Sequence, residues 1–231
     1  MQRIATSLLL SLALPAAALA GNGPAPSGQQ VYTFAVDLAA DGRIEGLRPH
    51  GNAPGAHGGA LAGEIRGWVF EPLGDAGPGA STRTYLRVVV DEPTDGGYRV
   101  VSATTGPALA AMTVPDYPLR DQLAGREGMV VLRLEVAADG SVRDSHVHAA
   151  TGSVSAGMSA AAVDASRGWR FSPEQVAGSA VASTMLWPVC YLGAASPVSA
   201  CSWTGPDTQR FSSKTVLPLD PRVGVSWTAA R

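Results

Sequence analysis

The heptapeptide RGWVFEP, Arg66–Pro72, returns as RGWRFSP at Arg167–Pro173, with five of the seven residues unchanged. A chain that writes Arg-Gly-Trp-x-Phe-x-Pro twice must build two similar places for a Trp and a Phe to be buried. The surroundings repeat too. The tetrapeptide AADG stands upstream of each copy, at Ala39–Gly42 and Ala137–Gly140, and an alternating run precedes each of those, YTFAVDL (32–38) and VVLRLEV (130–136). Tyr32, Phe34, Val36 and Leu38 share one face of the first run. Val130, Leu132, Leu134 and Val136 share one face of the second, with Arg133 and Glu135 outward. Period-two alternation running into Asp-Gly predicts a strand and a hairpin turn, because the turn needs positive φ and glycine supplies it. After each phrase comes a further strand-like run, TYLRVVV (84–90) and TMLWPVC (184–190).

Each block thus reads as strand, turn, strand, helix, phrase, loop and strand. In the second helix Met158, Ala161, Ala162 and Ala165 recur at helical spacing, and GSVSAG (152–157) supplies the turn and cap before it. The first helix is shorter, with Leu61 and Ile65 as its stripe. Gly67 and Gly168 are expected to end the helices in the left-handed conformation that glycine adopts cheaply. Trp68, Phe70, Trp169 and Phe171 are expected as structural core anchors, and Pro72 and Pro173 as the points where pairing breaks. The fold class is α+β. Two tandem small modules are expected, each an antiparallel three-stranded sheet with one helix packed on a face. The repeat is too long for a solenoid and fits a duplicated small domain.

Composition narrows the function. The 231 residues carry a formal net charge of -2 and only 16% charged side chains, which fits neither a nucleic-acid binder nor a disordered acidic segment. Residues 1–20 combine Arg3, an apolar run and Ala18-Leu19-Ala20, the pattern of a cleaved signal peptide, so the protein is expected to be exported. Export makes a disulfide between Cys190 and Cys201 the expected state of the two cysteines.

The second block resembles the TonB C-terminal domain family. The resemblance is carried by VPDYPLR (114–120), GMVVLRLEVAADGSV (128–142), Thr151-Gly152-Ser153, the alanine-rich helix, RGWRFSP, Gly178 and WPVCY (187–191). The first block is similar to a degenerate copy that lacks the Tyr-Pro element. The resemblance implies a periplasmic domain that meets outer-membrane transporters or other envelope proteins. Binding there is by strand addition, in which an extended peptide satisfies the unpaired groups of a sheet edge. The implied edge is the last strand, with Val181, Ser183, Thr184, Met185, Leu186, Trp187 and Val189 as its residues. Pro188 suits an edge and not a sheet centre. Energy-coupling TonB proteins keep a membrane helix and a long proline-rich spacer. Here a cleavable leader and only residues 21–29 are expected before the first block, so the resemblance implies the domain and not energy transduction. The expected boundaries are a 1–20 leader, a 21–29 linker, modules at 30–104 and 105–191, and a disulfide-braced tail at 192–231. The tail could pack on the second block or remain free of it.

A second reading keeps the fold and removes the ligand. YRVVSA (98–103) follows the first block's last strand and RFSSKTVL (210–217) follows the second's. Both could return to cover their own edges, leaving a structural or envelope-assembly domain.

Catalytic chemistry finds no carriers. There is no G-x-S-x-G elbow, S-x-x-K, H-E-x-x-H or Walker loop. His146 and His148 would share a strand face, and His50 aligns with His148 in the repeat. With His57 they lack a third ligand and read as exposed polar residues. No metal, no cofactor and no enzyme activity are expected.

Overall fold

The computed structural model describes residues 29–51, 55–68, 70, 80–92, 96–194, 196 and 215–218. The expected leader and Cys201 lie outside the described residues, and with Cys201 the expected bridge to Cys190.

The first half contains β1 (Gln29–Leu38), β2 (Ile44–Pro49), α1 (Gly58–Ile65), β3 (Thr82–Asp91) and β4 (Arg99–Gly106). Strand β1 is central, with β2 and β3 antiparallel on its two sides. Its alternation is expressed directly. Tyr32, Phe34, Val36 and Leu38 are buried and pack with Leu61 and Ile65 of α1, Leu86 and Val88 of β3, and the anchors Trp68 and Phe70.

The second half contains β5 (Ala108–Ala111), α2 (Leu119–Leu123), β6 (Gly128–Val136), β7 (Val142–Gly152), α3 (Ala156–Ser166), β8 (Arg170–Ser172), β9 (Gln175–Val176), β10 (Ser179–Ala180) and β11 (Ser183–Tyr191). Here β6 is central, in the order β11-β6-β7. Val130, Leu132, Leu134 and Val136 form a second core with Met158 and Ala162 of α3 and with Trp169 and Phe171. Helix α3 is capped as its sequence predicts: Ser155 Oγ accepts the Met158 amide at 3.1 Å.

The two sheets share more than strand order. Adding 98 to a β1 number and 101 to a β3 number carries one ladder onto the other: Leu38↔Thr82 becomes Val136↔Ser183, and Phe34↔Leu86 becomes Leu132↔Trp187. The register also slips at equivalent places, between Asp37 and Leu38 and between Glu135 and Val136. The two last-strand threonines that look alike in sequence are not equivalent. Thr84 occupies the place of Met185, both facing the core, and Thr184 faces the other way. A one-residue slip changes face because the side-chain period is two.

The repeated phrase has a structural reason. Its Phe backbone returns to the hairpin turn: Phe70 N–H donates to the Gly42 carbonyl at 3.1 Å, and Phe171 N–H donates to the Gly140 carbonyl at 2.8 Å. Gly42 and Gly140 have φ of 80° and 81°, the left-handed conformation expected of the Asp-Gly turn. Gly67 and Gly168 do not have positive φ, contrary to the sequence expectation. The helices instead end in tight turns, with Trp68 N–H on the Ile65 carbonyl and Trp169 N–H on the Ser166 carbonyl.

Three further features depart from the sequence reading. Pairing does not stop at Pro173: β8 before it pairs with β5, and β9 after it pairs with Thr82–Arg83 of β3. Among the described residues the first sheet has seven strands rather than three and draws on both halves of the chain. The tail residues Thr215–Pro218 form β12, which pairs in parallel with β4 and not with β11.

Candidate functional site

Strand β11 is held along its inner side by β6, in unbroken antiparallel register from Ser183↔Val136 to Tyr191↔Gly128. Among the described residues no strand pairs its outer side. The corresponding strand of the first sheet, β3, carries β4 and β9 on that side. The expected return strand 98–103 thus covers the first edge, and the expected return of 210–217 to the second edge does not occur among the described residues.

The alternation of β11 sets its two faces. Ser183, Met185, Val189 and Tyr191 are buried, and Trp187 is half-buried above the core. The Trp187 ring stands edge-on to Trp169 at 6.0 Å and to Phe171 at 5.7 Å, an arrangement that suits the ring quadrupoles. Thr184, Leu186 and Pro188 lie on the opposite face, each half-buried. Val181 precedes the strand and donates its N–H to the Glu174 carbonyl at 2.9 Å.

Both ends of β11 are tied down. At its start, Glu174 is fully buried and accepts hydrogen bonds from Ser183 Oγ at 3.1 Å and from Thr84 Oγ1 of the first half. At its end, Tyr191 Oη donates to the Met158 carbonyl of α3 at 2.7 Å. Burial and the nearby Asp116 carboxylate push the Tyr191 phenol up to about 12. The Tyr-Pro segment closes this end. The Tyr117 ring meets Tyr191 edge-on at 5.2 Å, and its hydroxyl donates to the Arg126 carbonyl. Asp121, buried at 7% exposure, receives the Ser155 hydroxyl at 2.7 Å and the Arg126 guanidinium at 3.3 Å. The Trp169 indole donates to the Thr113 carbonyl at 2.8 Å.

Glu174 and Asp121 were invisible to pattern reasoning. Each is a polar residue beside a proline-containing stretch, where charge predicts exposure, and only tertiary packing buries it. The histidines are not gathered. His50 lies against Tyr85, His57 against Tyr98, and exposed His146 faces Asp144 at 3.3 Å. A register shift between Val147 and Ala149, opposite Leu132 and Val131, falls at His148, so the strict two-residue alternation expected for the pair is interrupted there. Among the described residues no group of three or more His, Cys, Asp or Glu could hold a metal ion. No helix among them is long and apolar enough to cross a membrane.

Residues 113–192 match the family model described as Gram-negative bacterial TonB protein C-terminal. The match runs from the Thr113 carbonyl that receives Trp169 to the end of β11, so the resemblance read from the second block holds over that segment. Over that segment the chain is similar to the C-terminal domain of TonB proteins. The family is a Gram-negative periplasmic domain and not an enzyme family, and its members interact with envelope proteins such as outer-membrane transporters. No curated protein matches the chain.

Proposed function

We propose that the protein is an exported, periplasmic adaptor, built from two related modules, that binds extended peptide segments by strand addition at β11. The binding residues are Val181, Ser183, Thr184, Met185, Leu186, Trp187 and Val189. The partners are periplasmic segments of outer-membrane transporters or of other envelope proteins. One observation carries the reading: β11 is the outermost strand of its sheet among the described residues, within the segment that matches the TonB C-terminal family. An outermost strand leaves alternate backbone N–H and C=O groups without a ladder partner, and an extended peptide satisfies them at low conformational cost. Pro188 is compatible with this place, since an edge tolerates a residue that cannot donate. The buried ties at both ends, Glu174 and Tyr191, hold the strand ready.

The second reading, a structural or envelope-assembly domain, draws on β4 and β9, which cover β3. An NMR titration with extended peptides from the periplasmic ends of outer-membrane transporters separates the two. Saturable shifts clustered at residues 181–189 are expected for the adaptor. Unchanged spectra at millimolar peptide would leave the structural reading.

A further inference from the structure

We propose that β4 is a built-in occupant of the first sheet's docking edge, and that it displays the chemistry of strand that β11 accepts: an extended segment with small residues on its core-facing side. The inference deepens the strand-addition reading of β11 and rests on it.

The equivalence of the two edges is one of register. Leu86 and Val88 on β3 hold the places of Trp187 and Val189 on β11, facing the same partners on the central strands, Phe34 and Tyr32 against Leu132 and Val130. On β3 the outer side is filled. β4 pairs with Tyr85–Asp91, and β9 pairs with Thr82 and Arg83. On β11 the same side has no strand among the described residues. Among the described residues, one edge thus carries its occupant and the other carries none.

The occupant's inward residues are Val100 opposite Val90, Ala103 opposite Val88 and Thr105 opposite Leu86. All three are buried, and their size falls toward the middle of the strand, where Ala103 is 2% exposed. Thr105 Oγ1 has no hydrogen-bond partner among the described residues, which fits a position filled by shape more than by polar recognition. On β11 the neighbour at that place is Trp187, larger than Leu86. The larger ring leaves less room beside it, and Gly, Ala, Ser or Thr fits there where Leu, Ile or an aromatic residue does not. The direction of β4 is not transferable. Only residues 92–98 separate β4 from β3 in sequence, a spacing that suits an antiparallel pair, whereas a separate peptide has no such tie.

Amide hydrogen exchange of the full chain, read by NMR, tests this. With no peptide, β3 amides are expected to be uniformly slow, while every second amide along the β11 stretch 183–189 is fast. A capped peptide of the β4 sequence, RVVSATTG, at millimolar concentration is expected to slow those fast β11 amides by about tenfold or more. The same peptide with A103W and T105W is expected not to. Equal protection by both peptides overturns the small-residue requirement. Protection by a transporter-derived peptide with none by RVVSATTG overturns the proposal and leaves strand addition standing. Protection by neither overturns both. Protection by RVVSATTG alone keeps the proposal and removes transporters as partners. If the β11 amides are already slow without peptide, the proposal also falls: slow exchange at every concentration means the chain covers its own edge, and slow exchange only in concentrated solution means a second copy does.

Discussion

Glu174 accepts a hydrogen bond from the hydroxyl of Thr84, 90 residues earlier in the chain, and neither residue reaches solvent. The same carboxylate holds Ser183 at the start of β11, so one buried group joins the first sheet to the candidate docking strand. Removing it leaves two buried hydroxyls without their acceptor. Glu174→Ala is expected to cost about 3 kcal/mol, since each unsatisfied buried group costs roughly 1–3 kcal/mol. A double-mutant cycle with Thr84→Val, followed by urea denaturation, should show coupling of about 1 kcal/mol or more. Strict additivity would mean that the contact contributes nothing.

Glycine positions separate conformation from space. Gly140 has φ of 81°, and a Cβ there would sit 2.0 Å from the Phe171 carbonyl oxygen. Gly140→Ala is expected to cost about 3 kcal/mol or more, from left-handed strain together with displacement of the Phe171 backbone. Gly168 has no positive φ, and its nearest atom to an added Cβ is the Ala165 carbonyl oxygen at 3.6 Å. Gly168→Ala should stay within about 0.5 kcal/mol of the parent. Thermal and urea unfolding of the two variants would reveal the contrast, and equal losses would contradict it.

Trp169 does two jobs. Its ring is fully buried under Trp187, and its Nε1–H reaches the Thr113 carbonyl at 2.8 Å. Trp169→Ala is expected to cost about 4 kcal/mol through the cavity it leaves. Trp169→Phe keeps most of the apolar contact and loses the hydrogen bond, for about 1 kcal/mol. The test is a pair of urea midpoints. A Phe variant as damaged as the Ala variant would show that the Thr113 contact, and not ring burial, dominates.

Legibility followed locality. The alternation at 32–38 and 130–136 disclosed both central strands and their buried faces, because a half-buried strand imposes period two on its own sequence. Asp-Gly disclosed the turns, Ser155 the cap, and the repeated Trp and Phe the anchors. Contacts set by distant partners left no local mark. Glu174 reads as a loop carboxylate until β3 supplies Thr84, and β9 reads as loop until Thr82 and Arg83 pair with it. The matched threonines 84 and 184 misled because identity of letters does not specify register. Gly67 and Gly168 misled because a glycine after a helix predicts positive φ, whereas here the chain leaves each helix by a tight turn.

Tyr191 makes stability depend on alkaline pH. Its phenol is pushed up to about 12, first by burial and then by Asp116, and it donates to the Met158 carbonyl at 2.7 Å. An unfolded tyrosine titrates near about 10. Below that value both states hold the proton, and the stabilisation is fully present. Between about 10 and about 12 the unfolded chain has released its proton while the folded one retains it, so stability falls as pH rises through this window. Tyr32, Tyr98 and Tyr117 are also raised, each chiefly by burial, and add to the same trend. The Tyr191 share is isolated by comparison with Tyr191→Phe. That variant is expected to be weaker at neutral pH by about 1 kcal/mol, the loss of one hydrogen bond. It should then lose less than the parent between about pH 9 and about pH 11.5. Urea midpoints across that range, with the tyrosinate absorbance followed in parallel, decide the matter. Identical slopes for parent and variant would place the alkaline sensitivity elsewhere, and would show that the end of β11 is open enough for its phenol to ionise like an exposed one.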